Sequence, residues 1–164
     1  MTRNHFTGPP PRRVGALGVL RNSEGAVLFV EKEEPGALRR PYYHPGGCVE
    51  GNESVTGALV RLAHARLGID VEPGRLLAVH HMYEELHAER QELHREGFNL
   101  LFDCGVQDIA PGDFVLGANV RGARWVLPSD FDAVLMPFTA RRTRAALEAL
   151  EGGQVQFLAG HPPA

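Results

Sequence analysis

The sequence predicts an α/β (α+β) domain, a mixed β-sheet sandwiched between helices. Three observations carry this prediction. The 164 residues suit one domain with one core. Short apolar runs bounded by Gly, Pro, Asn and Ser read as strands. Two longer stretches with helix-terminal residues, 55–67 and 139–151, are interleaved with those strands and read as helices.

The elements follow in order. Residues 1–13 hold Gly8 and Pro9 to Pro11 and read as a flexible lead-in. Val14–Leu20 and Ala26–Val30 are apolar, and Arg21-Asn22-Ser23-Glu24-Gly25 between them supplies turn chemistry, so together they predict a hairpin. Glu31–Arg40 is charged, contains Pro35-Gly36 and reads as a loop. For the helix over 55–67, Ser54 is the expected N-cap and Gly68 the C′ residue, with Gly57 weakening it by about 1 kcal/mol against Ala. Leu76–Met82 and Phe98–Cys104 read as strands. Tyr83–Glu96 between them reads as either a long hairpin connection or a helical insertion. Arg124–Leu127 is a short strand ended by Pro128, and Thr139–Glu151 is the second helix. The domain proper runs over 14–151, and 152–164 is a tail whose apolar patch, Val155–Leu158, is expected to pack on it.

Bulk chemistry excludes some classes. A net charge of −3 gives no global reason for nucleic-acid or membrane binding. The basic clusters Arg12-Arg13, Arg39-Arg40 and Arg141-Arg142-Thr143-Arg144 read as solvated surface unless they line a pocket. Cys48 and Cys104 lack CxxC spacing, so both are expected to be small, mostly buried apolar groups in a reducing compartment. The N-terminus has no apolar core of a signal peptide, and the expected location is cytoplasmic.

The most informative segment is His44-Pro45-Gly46-Gly47-Cys48-Val49-Glu50-Gly51-Asn52-Glu53-Ser54, continuing through Val60-Arg61 to Leu67-Gly68-Ile69. It resembles the box of the Nudix hydrolase superfamily, G-x5-E-x7-R-E-U-x-E-E-x-G-U with U a bulky aliphatic. Gly47, Glu53, Arg61, Gly68 and Ile69 fall in register. The resemblance extends to the flanking hairpin, the Arg-Trp strand and the closing helix, and covers roughly 14–150. It implies the Nudix fold and hydrolysis of a nucleoside diphosphate linked to another group, with Mg²⁺ or Mn²⁺ held by box carboxylates.

The box is degenerate at its metal ligands. Where the family has glutamates, this chain has Leu62, Ala65 and Arg66, three positions that share a helix face. Mg²⁺ requires hard oxygen ligands, and none of these side chains offers one. At about 4 Å and an effective dielectric of ~20, a like unit charge at position 66 repels by about 4 kcal/mol before screening.

Three readings follow. In the first, the domain binds a nucleotide or other diphosphate ligand with weak or no hydrolysis. Gly46 and Gly47 would then give the phosphates close backbone approach, Arg61 and Arg66 would bind them, and Tyr43 (or Tyr42) would stack on a base or ribose. Against this, Arg66 is read more simply as a solvated helix residue and Arg61 as the brace of the Glu53 loop. In the second reading, a relocated site uses Glu50, Glu53 and Glu96 (or Glu92), with Glu53 and Glu96 as catalytic candidates. Histidines His44, His64, His80, His81, His87 and His94 are further candidates without a recognised ligand spacing. In the third, the fold serves as a protein-interaction module or homodimer built on the 83–97 insertion. Substrate identity is not legible.

Overall fold

Alternation along the first strand builds both faces of the sheet. In β1 (Arg13–Arg21), Ala16 and Leu20 point to one core, and Leu17 and Val19 to the other. In β2 (Val27–Lys32), Leu28 and Val30 face the first core while Val27 and Phe29 face the second. This is a computed structural model describing residues 13–33, 41–83 and 97–160. The lead-in up to residue 12, Arg39-Arg40, the segment 84–96 with Glu92, Glu96, His87 and His94, and the last four residues lie outside the described residues.

The remaining elements are β3 (Tyr42–Tyr43), β4 (Gly46–Cys48), α1 (Val55–Leu67), β5 (Leu76–Met82), β6 (Gly97–Val106), β7 (Val120–Val126), α2 (Phe131–Val134), α3 (Pro137–Gly152) and β8 (Gln156–Ala159). The sheet order is β3-β2-β1-β6-β5-β8, with β4 also on β1 and β7 on β2. β1 runs parallel to β6 and β5 parallel to β8, whereas β5 and β6 are antiparallel. The sheet is therefore mixed, as expected. One helical layer is α1, which packs through Ala58, Leu59, Ala63 and Leu67. The opposite layer is α2 and α3, which pack through Phe131, Ala140, Ala146 and Ala149.

Two features go beyond the sequence reading. The predicted hairpin pairs at its base, with Arg21 opposite Val27. Beyond that pair the strands diverge, β1 towards β4 and β6, and β2 towards β3 and β7. Glu31 and Lys32, read as loop, belong to β2 because they pair with β3 and β7. The apolar patch at 155–158 falls largely in β8, an edge strand whose partner is β5.

α1 spans the predicted residues. The Ser54 hydroxyl accepts the Gly57 N–H at 3.0 Å, and Gly68 (φ 65°) closes the helix with its N–H on the His64 carbonyl. A Cβ on Gly68 would lie 2.6 Å from that of Val115. The C-terminal carbonyls of the helix receive further donors: Val115 N–H bonds to Leu67 O and Gly117 N–H to Arg66 O, each at 3.0 Å.

Candidate functional site

β4 is held on β1, with Gly46 opposite Leu17 and Gly47 opposite Ala16. Gly18 N–H to Pro45 O (2.8 Å) and Val49 N–H to Val14 O (2.9 Å) extend that pairing to both ends of the turn. Gly46 has φ 119°, and a Cβ there would collide with the Ala16 carbonyl, so only glycine fits. Asn52 adopts φ 67° where the loop enters α1, the conformation that a Gly-Asn pair favours.

Glu53 organises this loop. Its Oε1 accepts the Glu50 N–H at 2.8 Å and Arg61 Nη2 at 2.7 Å, while its Oε2 accepts Arg61 Nε at 2.9 Å. The Arg61 fork is the main reason that the carboxyl pKa falls from 4.5 to about 2, with the Glu50 N–H adding to it. Glu50 is exposed, 3.8 Å from the same guanidinium. The two loop carboxylates are thus turned towards Arg61, and Glu96 lies outside the described residues.

The helix face that follows carries no carboxylate. Leu62 and Arg66 both press against Gly47, where an added Cβ would meet Leu62 Cδ1 and Arg66 Nη2, each at 3.1 Å. Arg66 Nη1 donates to the Gly46 carbonyl oxygen. It is half-buried, not the solvated residue that helix position suggests, because the turn folds back over it. Burial lowers its pKa; Cys48 opposes that shift, and Arg13 and Arg61 reinforce it. Ala65 is exposed. Magnesium, which the family resemblance implies, does not fit this arrangement. Positions 62, 65 and 66 supply no oxygen ligand, a guanidinium takes the Gly46 carbonyl, and Glu53 is already matched by Arg61. Among the described residues no three His, Cys, Asp or Glu side chains are grouped to hold a metal ion.

The histidines are scattered. His64 is exposed beside Asp70 at 3.2 Å. His80 and His81 point to opposite faces: His80 is buried with Nε2 2.7 Å from the Gly160 carbonyl, and His81 stacks on Phe98 at 4.6 Å. His44 is buried against Phe29, with ring centroids 4.9 Å apart. Tyr43 is half-buried with the Lys32 ammonium 4.5 Å from its ring centre, and Tyr42 lies 5.7 Å from the Arg124 guanidinium. Trp125 packs against the α1 core and donates to Ile109 O at 2.9 Å.

Two expectations are corrected. Cys48 is exposed, because it ends β4 with its side chain directed away from both cores, whereas Cys104 is buried and its thiol is pushed up to about 12 by desolvation. Arg142, read as solvated surface within a basic cluster, is 5 % exposed on the inner side of α3. The periodicity of α3 could have revealed it, since Thr139, Arg142, Thr143, Ala146 and Ala149 recur at helical spacing along one stripe.

Comparison with known proteins adds four matches. A family model described as NUDIX domain matches residues 11–148. The low-salt glycan biosynthesis protein Agl8 of Haloferax volcanii is 39% identical over 67 residues, a match covering 40% of this chain and 42% of that protein. Among solved structures, the MutT protein from Methanosarcina mazei Go1 has a TM-score of 0.66 at 18% identity, covering 90% of this chain and 99% of its own. A NUDIX hydrolase from Nitrosomonas europaea reaches 0.67 at 18% identity, with coverage of 93% and 81%. At such identities the structural likeness concerns the fold.

Proposed function

The chain belongs to the NUDIX domain family, and from that premise we propose that it binds a nucleotide or other diphosphate ligand at the Gly46-Gly47 turn, with weak or no Mg²⁺-dependent hydrolysis. The observation that carries this reading is the Arg66 guanidinium lying against the glycine turn where the family resemblance calls for a carboxylate. A carboxylate there attracts a metal, which in turn attracts a diphosphate. A guanidinium attracts the diphosphate directly, and its planar fork of donors matches phosphate oxygens. One of its N–H groups is committed to Gly46, which fixes the plane and leaves others for a ligand.

Arg61 is a brace in this reading, since Glu53 takes its fork. Without a metal to neutralise transition-state charge, several kcal/mol of barrier lowering are missing, and each ~1.4 kcal/mol is a factor of ten in rate. The Haloferax relative, by its name a glycan biosynthesis protein, favours a sugar-linked nucleoside diphosphate as the first ligand to try.

The test is calorimetric titration in EDTA with inorganic pyrophosphate, a nucleoside diphosphate sugar and ADP-ribose. Wild type is expected to bind at least one of them without metal. Arg66→Gln should weaken that binding by about 10- to 100-fold, the size of a lost charge-assisted hydrogen bond. Equal affinity in the two proteins, or binding only when Mg²⁺ is added, contradicts the reading.

A further inference from the structure

Apart from His80, the buried polar side chains among the described residues form one group: His44, Thr139, Arg142 and Thr143. The group lies where the inner face of α3 meets the residue that precedes the Pro45-Gly46-Gly47 turn. Thr143 Oγ1 is 2.6 Å from the Thr139 carbonyl, which can only accept, so the hydroxyl proton is spent there. Its oxygen therefore accepts from His44 Nε2 at 3.0 Å. That assignment places the ring proton on Nε2 and leaves Nδ1 with a bare lone pair. Nδ1 is buried and without a partner, and so are the Thr139 hydroxyl and Arg142 Nε.

Three orphaned polar atoms in one group are unusual, because each unmet buried group costs about 1–3 kcal/mol. Water can satisfy the histidine and the hydroxyl, but it cannot neutralise a guanidinium. Arg142 lies 5.3 Å from the Phe138 ring centre, and no carboxylate ion-pairs with it among the described residues. Its charge environment is unfavourable on two counts: burial brings its pKa to about 10, and Arg13 repels it, with Tyr43 opposing in part. Arg13 also repels Arg66, so Arg13 is electrostatically coupled to guanidinium groups on both sides of the glycine turn. Such a buried cation calls for an anion that the described residues do not provide.

We propose that His44, Thr139 and Arg142 form a phosphomonoester subsite, which takes a hydrogen phosphate group either free or as the end group of the ligand held at the turn. The second case rests on the function proposed above. Arg142 Nε–H and the Thr139 hydroxyl donate to ionised phosphate oxygens. The remaining P–OH donates to His44 Nδ1, which is neutral because desolvation, reinforced by Arg142, lowers the ring pKa well below 6.5. The acceptor confers selectivity. Sulfate has the same shape but no proton to donate, so it sets an oxygen lone pair against that of Nδ1 and leaves both unmatched.

The probe is orthophosphate, titrated by calorimetry at pH 6.5 into the full chain, with sulfate as the comparison anion. Orthophosphate is expected to bind at least tenfold more tightly than sulfate. Arg142→Gln, and independently the near-isosteric Thr139→Val, should each weaken it at least tenfold; Thr139→Val keeps the test open should Arg142→Gln fail to fold. Equal affinity for the two anions, no orthophosphate binding, or wild-type affinity in a folded Arg142→Gln protein overturns the subsite. If the group belongs to the larger ligand, Arg142→Gln also weakens a nucleoside diphosphate; if the phosphate is free, only orthophosphate binding changes. Pyrophosphate binding lost in Arg66→Gln, with orthophosphate indifferent to Arg142→Gln, leaves the diphosphate reading standing and removes this one. The reverse pattern removes the diphosphate reading alone.

Discussion

Arg61 and Arg66, both on α1, do different work. Arg61 spends its fork on Glu53, whereas Arg66 donates to the Gly46 carbonyl and, among the described residues, ion-pairs with no carboxylate. Removing the Arg61 guanidinium should therefore release Glu53. In Arg61→Gln, the Glu53 carboxyl should titrate clearly above about 2, back towards 4.5 and short of it because the Glu50 N–H remains, as read by carbon-detected NMR. Because that pKa is depressed on folding, the stability it contributes is present above pH 4.5 and is lost as pH falls towards 2. His44 acts in a higher window. Its folded pKa lies well below 6.5, so below that pH the unfolded chain binds a proton that the folded one refuses. Stability should fall as the pH drops below 6.5 through this group. Urea melts of wild type and His44→Gln check this, and equal pH slopes contradict it. The relation of Gly47, Glu53 and Arg61 was legible through the resemblance to the Nudix box, with which all three fall in register. Arg142 was missed although the α3 stripe includes it, because arginine is so seldom buried that the residue type outweighs the periodicity.

At the scale of the element, α1 is the part the sequence specified most fully. Ser54 and Gly68 bound it at both ends, and Ser54→Ala should cost about 1 kcal/mol in a urea melt, the usual loss of an N-cap. The register of its outer face can be tested by restoring what the family pattern calls for. Leu62→Glu, Ala65→Glu and Arg66→Glu together should create a Mg²⁺ site and raise the melting temperature when Mg²⁺ is added, as binding to the folded state requires. A calorimetric trace with no Mg²⁺ uptake would mean that these three positions do not share a metal-facing surface. The segment 115–117, which donates to the last turn of α1, carried no sequence signal. Its bonds are backbone to backbone across a long separation, and side-chain pattern does not encode them.

The described residues form a sheet with a core on each face, and that much follows from the continuous apolar runs of β1 and β2 and from the two helices interleaved with the strands. The strand order was not legible, because it depends on which edges the long connections bring together. β8 illustrates this. Its four residues close the edge beside β5, and the adjoining Gly160 carbonyl meets buried His80 Nε2. Ending the chain at Gly153 should remove that hydrogen bond and expose the β5 edge, at a cost of about 1 kcal/mol from the lost bond alone. Melting curves of the truncated and full chains give the difference, and identical curves contradict the assignment.

In the proposed function a guanidinium takes over the role of a metal at the glycine turn. The most direct measurement is turnover of a panel of nucleoside diphosphate derivatives, with Mg²⁺ or Mn²⁺ and with EDTA, run beside metal-free binding of the same compounds. Binding in EDTA with negligible turnover under every metal condition is the predicted result. Turnover at rates ordinary for the family, abolished by EDTA, would contradict it.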